Sequence, residues 1–155
     1  MKTDLNKKLQ NIYNQTKSAD IREHLYTLKN YAEKSRHITE MGVRGVVSTW
    51  AFLAGKPTVL RSYDVFHPKQ FQAASELNDV INAANENNID FRFICQNVLE
   101  ANIAETDLLF IDTWHVYKQL KAELQLHASK VRKWIIMHDT TSCEFRDEEG
   151  YEKHL

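Results

Sequence analysis

Two apolar runs of the sequence end in the same kinds of ionisable residue. Residues 108–111 are followed by Asp112 and, three positions later, His115, and residues 134–137 are followed by His138 and Asp139. Two carboxylates brought close together repel each other unless one is protonated or a cation lies between them. Mg2+ prefers oxygen ligands, so Asp112 and Asp139 would form a suitable site for this ion. A histidine beside the ion could then remove a proton from a hydroxyl that the metal polarises.

A second group of candidates lies earlier in the chain. Glu40 precedes a turn with Gly42 and Gly45, and Asp64 follows about 20 residues after that turn, where an acid in a βαβ nucleotide fold accepts hydrogen bonds from the ribose hydroxyls. Glycine permits positive φ and a close approach of backbone to ligand. The alternatives are a solvated Glu40 in an ordinary turn and a capping or loop role for Asp64. The spacing does not fit GxGxxG, so a dinucleotide fingerprint matches poorly.

Other polar residues near predicted strand ends leave alternatives open. Gln96 or Asn97 could hydrogen-bond an adenine edge or act as a plain loop amide, and Cys95 is expected to be a small buried residue. His138 is either a further metal ligand or turned into the core, because adjacent strand residues face opposite sides. Ordinary strand ends with solvated or capping aspartates remain the alternative to a metal site.

Hydrophobic periodicity predicts the elements that position these residues. Strands alternate with helices, which indicates an α/β, Rossmann-like doubly wound parallel sheet of about five strands, covered by helices on both faces. The second helix has Ser18 or Asp20 as its expected N-cap, and the fourth is expected to bury Phe71, Ala74, Leu77, Ile81 and Ala84. Ligands of such sheets bind beyond the carboxyl ends of the strands. The predicted strands lie within 36–42, 58–65, 89–97, 107–112 and 133–139, and the helices within 5–15, 21–34, 46–54, 68–88 and 117–130.

Composition limits the domain organisation and the partners. The 155 residues predict a single domain, with N-terminal helices in 1–35, an α/β core in 36–142 and a polar tail in 143–155. A formal net charge of -1 argues against nucleic-acid and membrane partners, and no apolar run approaches the roughly 18 residues of a membrane span. Two cysteines without CxxC and a polar N-terminus indicate a cytoplasmic protein. A homo-oligomer is left open.

Several stretches resemble class I S-adenosylmethionine-dependent methyltransferases. They are HITEMGVRGVVSTWAFL, SYDV and the segment from DLLFIDTWHVY to IIMHDTT, with FIDTWHVY and IIMHDTT the most specific. The resemblance covers roughly residues 18 to 142. It is nearest to the group that includes cephalosporin-biosynthesis methyltransferase-like proteins and the metal-dependent O-methyltransferases of macrolide sugars and rhamnose.

The resemblance implies roles for individual residues. His115 would be the general base, and His138 stands where metal-dependent members often carry an acidic residue. The metal ligands would be Asp112, His138 and Asp139. The residues that contact S-adenosylmethionine would be Glu40, Gly42, Gly45, Asp64, Asn97 and Asp112.

The function that this resemblance implies is a metal-assisted O-methyltransferase acting on a saccharide or another small hydroxylated molecule. The family's sheet normally continues with a further helix and an antiparallel strand pair, and the sequence stops at Leu155, before them. The alternative is therefore a non-catalytic module that holds the cofactor or a partner chain. An NAD-dependent enzyme is disfavoured by the absence of GxGxxG.

Overall fold

The protein, described in a computed structural model over residues 1–17, 19–141 and 143, contains a five-stranded sheet whose strands all pair in parallel. Its strand order is β3-β2-β1-β4-β5. This arrangement confirms the predicted α/β class and all five predicted strands. The strands are β1 (His37–Met41), β2 (Val59–Asp64), β3 (Asp90–Cys95), β4 (Thr106–Ile111) and β5 (Val131–Met137).

Six helices accompany the sheet in the described part of the chain. None of those in the described ranges is long and apolar enough to cross a membrane. Two short 3-10 turns, Pro68–Phe71 and Ala128–Lys130, precede α5 and follow α6. The helices are α1 (Leu5–Gln15), α2 (Ala19–Arg22), α3 (Leu25–Ala32), α4 (Val47–Ala54), α5 (Ala74–Glu86) and α6 (Tyr117–His127).

Alternating strand residues feed two apolar layers, because successive side chains of a strand point to opposite faces. On β4, Leu108 and Phe110 pack with residues of α1, α3, α4 and α5, whereas Leu109 and Ile111 pack with partly buried residues of α6. All six residues of β4 are buried. The sheet is thus covered on both faces, and the strand that leads to Asp112 is its most enclosed.

The predicted helix 21–34 is two helices in the structure. α2 ends at Arg22 and α3 begins at Leu25. The Arg22 side chain donates from Nε to the Tyr13 carbonyl oxygen at 2.7 Å and lies over the Tyr13 ring, which ties the end of α2 to α1. The break between the two helices therefore lies beside a tertiary contact that the helical periodicity of the sequence does not reveal. Ser18, one of the two expected N-caps, lies outside the described residues.

The predicted helix 68–88 is also interrupted. Gln72 adopts a left-handed backbone with φ of 58°, so the 3-10 turn before it and α5 after it are not in one helical phase. α5 buries Leu77, Val80, Ala83 and Ala84. The prediction that Phe71, Ala74 and Ile81 share the buried face is therefore wrong, since all three are exposed. Of the polar tail, only Cys143 falls within the described residues.

Candidate active site at the carboxyl edge of the sheet

The ends of β4 and β5 meet, as the sequence predicts. Ile111 pairs with Met137, and the His138 amide donates to the Ile111 carbonyl oxygen at 3.0 Å. This register places His138 opposite Asp112 and leaves Asp139 one residue further along. The expectation that the two strand ends are neighbours is confirmed, although the residue opposite Asp112 is the histidine.

Asp139 reaches the same place through an unusual backbone conformation. In a continuing strand, His138 and Asp139 would point to opposite faces. Asp139 has φ of 55°, in the left-handed region that non-glycine residues seldom adopt and that costs free energy. The turn brings the carboxylate Oδ2 to 2.9 Å from His138 Nδ1. Such strain is typical of functional sites.

Four side chains then form a cluster, which we call the His-Asp ring: Asp112, His115, His138 and Asp139. One potential ligand atom from each lies within 4.8 Å of the other three. His115 Nε2 is 3.1 Å from Asp112 Oδ1 and 3.2 Å from Asp139 Oδ2, and His138 Nδ1 is 3.3 Å from Asp112 Oδ1. The alternative that His138 turns away into the core is wrong.

The His-Asp ring favours the charged forms of both Asp112 and His138. Burial raises the pKa of the Asp112 carboxyl, but hydrogen bonds with His115 and His138 outweigh burial and hold that pKa well below its usual range. The hydrogen bond with Asp112 raises the pKa of His138 to about 9, against the opposing effect of burial. An imidazolium therefore relieves the carboxylate repulsion in this structure.

The ring also suits the divalent ion that the resemblance implies. It offers two carboxylate oxygens and up to two imidazole nitrogens, all ligand types found in protein metal sites. Asp112, His138 and Asp139 would hold the ion. This donor set fits Mg2+ less well than the sequence suggested, because Mg2+ prefers an all-oxygen shell.

Asp20 belongs to the site although no sequence pattern assigns it there. Its carboxylate Oδ1 lies 3.4 Å from His138 Nε2, and the neighbouring His24 ring packs edge-on against the His138 ring at a centroid distance of 5.4 Å. Both contacts come from the segment that includes the break between α2 and α3. No local pattern links residue 20 to residue 138, so only the tertiary structure reveals this partner.

The glycine turn adjoins the His-Asp ring. Gly42 has φ of 89°, and a Cβ atom added to it would lie 2.0 Å from the Asp112 carbonyl oxygen. The Asp112 amide donates to the Met41 carbonyl oxygen at 2.8 Å. The positive φ expected of Gly42 is confirmed, and its close approach is to the backbone at the end of β4.

Gly45 does not behave as expected. A Cβ atom added there would have no heavy atom within 4 Å, and the positive φ values of this turn fall on Arg44 (51°) and Val46 (61°). The conformational reason for a glycine at this position is therefore wrong. Open space above Gly45 still leaves room for a ligand beside the turn.

Asp64 closes the glycine turn from β2. Its Oδ2 accepts from the Val43 amide at 2.8 Å and the Arg44 amide at 3.1 Å, and its Oδ1 accepts from the Phe66 amide at 3.0 Å. A carboxylate has about four lone-pair positions and these amides use three of them, so Oδ1 retains capacity for one hydroxyl donor. The loop role is thus established, and the ribose role remains a prediction.

Glu40 is fully buried, so the alternative of a solvated glutamate is wrong. Its carboxylate accepts from the hydroxyls of Ser48 at 2.5 Å, Ser62 at 2.6 Å and Thr49 at 2.9 Å. Burial raises the pKa of Glu40 to about 7, and these three hydrogen bonds limit the rise. The contacts tie β1 to α4 and β2 directly beneath the glycine turn.

At the end of β3, the side-chain contacts do not distinguish a cofactor-binding role from an ordinary loop role. Asn97 Oδ1 accepts from the Leu99 amide at 3.0 Å, which is the loop role weighed for it, and Gln96 is exposed. The adenine contact remains a prediction. Cys95 is exposed, so its expected burial is wrong.

Glu123 of α6 is a further residue of the site, and it is not among those predicted from the sequence. It is 0% exposed, and its Oε1 accepts from Thr113 Oγ1 at 2.5 Å and from Gln119 Nε2 at 2.8 Å. Thr113 follows Asp112, so Glu123 supports the loop that carries His115. A signal was available, because positions 120, 123, 124 and 127 share one helix face.

Comparisons with known proteins identify the fold. No family model and no curated protein matches the sequence. Among solved structures, a candidate caffeoyl-CoA O-methyltransferase from Staphylococcus aureus is 20% identical, with a TM-score of 0.61 over 90% of this chain and 75% of that one. An O-methyltransferase from Bacillus cereus in complex with SAH is 18% identical, with a TM-score of 0.55 over 88% and 66% of the two chains. TomG, an O-methyltransferase of tomaymycin synthesis from Streptomyces achromogenes in complex with SAM, is 16% identical, with a TM-score of 0.53 over 88% and 66%.

The chain therefore has the Rossmann-like fold of class I S-adenosylmethionine-dependent O-methyltransferases, as its resemblance implied. It spans 66% of the length of the Bacillus cereus and Streptomyces structures. Similarity at this level of identity establishes the fold, whereas activity depends on the residues of the site.

Proposed function

We propose that the protein is a metal-assisted S-adenosylmethionine-dependent O-methyltransferase that acts on a saccharide or another small hydroxylated molecule. One observation carries the proposal: the His-Asp ring adjoins the glycine turn through the contact between Gly42 and Asp112. A cofactor held at that turn and a hydroxyl held at the ring would meet at one edge of the sheet.

S-adenosylmethionine, when bound, supplies a methyl group on a sulfonium for in-line transfer to the acceptor oxygen. Backbone groups of the turn at Gly42 and Gly45 bind its amino-acid portion. Asp64 accepts from a ribose hydroxyl, and Asn97 contacts the adenine. Glu40 acts from beneath, because its hydrogen bonds to Ser48 and Ser62 fix the strand from which the turn departs.

His115 takes the proton of the acceptor hydroxyl at Nε2. That nitrogen already lies 3.1 Å from Asp112 Oδ1 and 3.2 Å from Asp139 Oδ2. A cation bound to these two carboxylates would replace Nε2 as their partner, so that the neutral nitrogen would accept the proton of the hydroxyl. Glu123, through Thr113, keeps the His115 loop in place.

A divalent cation completes the centre, with Asp112, His138 and Asp139 as its ligands. When bound, it supplies a Lewis acid that lowers the pKa of a coordinated hydroxyl. If only the two carboxylates are considered, Mg2+ is the ion that suits the centre, because Mg2+ prefers oxygen ligands.

The acceptor and the cellular setting are further parts of the proposal. Trp114 is 41% exposed between Asp112 and His115 in sequence, where its ring can pack against a sugar or another flat-faced acceptor. The exposed thiol of Cys95 suits a reducing compartment such as the cytoplasm. No nucleic acid or membrane is proposed as a partner.

Calorimetric titration with S-adenosylhomocysteine, with and without divalent ions, tests the cofactor site, and methyl transfer to a panel of sugars and phenols tests turnover. His115→Ala and Asp112→Ala are each expected to lower turnover by about 100-fold or more, and His115→Ala should retain S-adenosylhomocysteine binding. Lys118→Ala, an exposed change on α6, is the matched control.

Retained turnover in both site variants would refute the proposed mechanism. Saturable cofactor binding with no methylation of any hydroxyl acceptor would support the non-catalytic module instead. Preference for NAD over S-adenosylmethionine would favour an NAD-dependent enzyme.

A further inference from the structure

His138 presents a different nitrogen to each of two carboxylate environments. Its Nδ1 faces the His-Asp ring, 2.9 Å from Asp139 Oδ2 and 3.3 Å from Asp112 Oδ1. Its Nε2 faces Asp20, whose Oδ1 is 3.4 Å away. The side chain is 6% exposed, so both orientations are imposed by the protein.

This arrangement is the one that metal-binding histidines usually have. A ligating imidazole almost always directs its other ring nitrogen to a carboxylate, carbonyl or water, which fixes the tautomer and makes the ligating nitrogen more basic. Asp20 faces that second nitrogen from outside the ring as an ion-pair partner at 3.4 Å, and the His24 ring packs edge-on against the imidazole. A histidine whose only role is to reduce the repulsion between Asp112 and Asp139 would need neither the Asp20 contact nor the His24 contact.

We propose that His138 Nδ1 is a metal ligand that makes the centre select a first-row transition ion, such as Mn2+, Co2+ or Zn2+, over Mg2+. This inference rests on the proposed function, because it specifies the ion of the same centre. Imidazole nitrogen suits transition ions, whereas Mg2+ prefers oxygen and gives up its water reluctantly. Asp112 and Asp139 supply oxygen ligands that either class of ion accepts, so the histidine decides between the classes.

Asp20 is the positioning residue for this ligand. It lies on α2, outside the ring, and its side chain is 55% exposed, so its replacement leaves no buried charge unpaired. Loss of its carboxylate frees the orientation of His138, and changes of this kind typically weaken metal binding by about 10- to 100-fold. Glu23, an exposed acid of the same segment that contacts His24 at 3.4 Å, provides the matched control.

The experiment titrates Co2+ into the chelator-treated protein without cofactor or acceptor, with visible absorption and calorimetry as readouts. We expect one ion per chain, with a spectrum that shows nitrogen coordination, that Mn2+ and Zn2+ displace and that a 100-fold excess of Mg2+ does not. His138→Glu replaces the nitrogen with an oxygen ligand, so Mg2+ should then compete and the nitrogen signature should disappear. Asp112→Asn should lower Co2+ affinity both in the original protein and in the His138→Glu variant.

Displacement of Co2+ by an equal concentration of Mg2+, or an unchanged spectrum in His138→Glu, would overturn the selectivity proposal. Asp20→Asn should lower Co2+ affinity about 10-fold and alter the spectrum, while Glu23→Gln leaves both unchanged. Equal affinities in these two variants would overturn the role of Asp20. Because neither titration requires methyl transfer, failure of the proposed function appears separately, as absence of S-adenosylhomocysteine binding or turnover.

Discussion

The backbone at Gly42 is so close to Asp112 that a Cβ atom at position 42 would lie 2.0 Å from the Asp112 carbonyl oxygen. Gly42 also has φ of 89°, which side chains rarely tolerate. The glycine turn and the His-Asp ring therefore depend on each other's backbone position.

Replacing Gly42 with alanine should destabilise the protein by about 2 to 5 kcal/mol, because the clash is with backbone and the conformation is strained. Urea denaturation measures the change in the free energy of unfolding. Gly45→Ala is the matched control, since its Cβ atom meets open space and its φ is not positive. That variant should stay within about 1 kcal/mol of the original protein. Equal losses in both variants would contradict the proposed importance of the Gly42 contact.

Asp64→Ala should weaken S-adenosylhomocysteine binding by about 10- to 100-fold. The substitution removes the acceptor of the Val43 and Arg44 amides, which hold the glycine turn, together with the proposed ribose contact. Isothermal titration calorimetry gives the dissociation constant. Asp79→Ala, whose side chain is 58% exposed on α5, should bind as the original protein does. An unchanged affinity in Asp64→Ala would remove Asp64 from the cofactor site.

Glu40 should make stability depend on pH. Burial raises its pKa from 4.5 to about 7 in the folded protein. Its favourable contribution is complete below pH 4.5 and is lost as the pH rises through 7, because the folded state holds the proton more tightly than the unfolded state. Between pH 5 and 8, the loss amounts to about 2 kcal/mol.

Glu40→Gln should remove this pH dependence, because glutamine does not ionise and can still bond the hydroxyls of Ser48, Thr49 and Ser62. Unfolding free energies of both proteins are compared from pH 5 to 8. The variant should gain stability relative to the original protein as the pH rises. A difference that stays constant across this range would show that Glu40 does not titrate there.

Thr113→Val tests the support of the His115 loop. The substitution removes one of the hydrogen bonds that Glu123 Oε1 accepts, and Glu123 Oε2 is already buried without a hydrogen-bond partner among the described residues. We expect a loss of about 1 to 3 kcal/mol in the free energy of unfolding and a larger fall in turnover than in cofactor affinity. Thr140→Val, at an exposed position, is the control. Normal turnover in Thr113→Val would argue against this support.

The sequence predicts the sheet and the edge where the candidates gather, because apolar runs and their connections leave few arrangements of a parallel sheet. It does not predict the arrangement within that edge. The position of His138 opposite Asp112 depends on strand register, and the return of Asp139 depends on a single left-handed residue. The hydroxyls that bond Glu40 come from α4 and β2. No local sequence pattern therefore predicts that they surround this carboxylate.

The pair formed by Asp20 and His138 joins an early part of the described chain to a late one. Because contacts between distant positions form after local ones, this pair should be among the last to form as the protein folds. During synthesis, Asp20 leaves the ribosome long before His138. The contact between them can form only after residue 138 has emerged. Metal selectivity would then be a property that a nascent chain acquires only after β5 has joined the sheet.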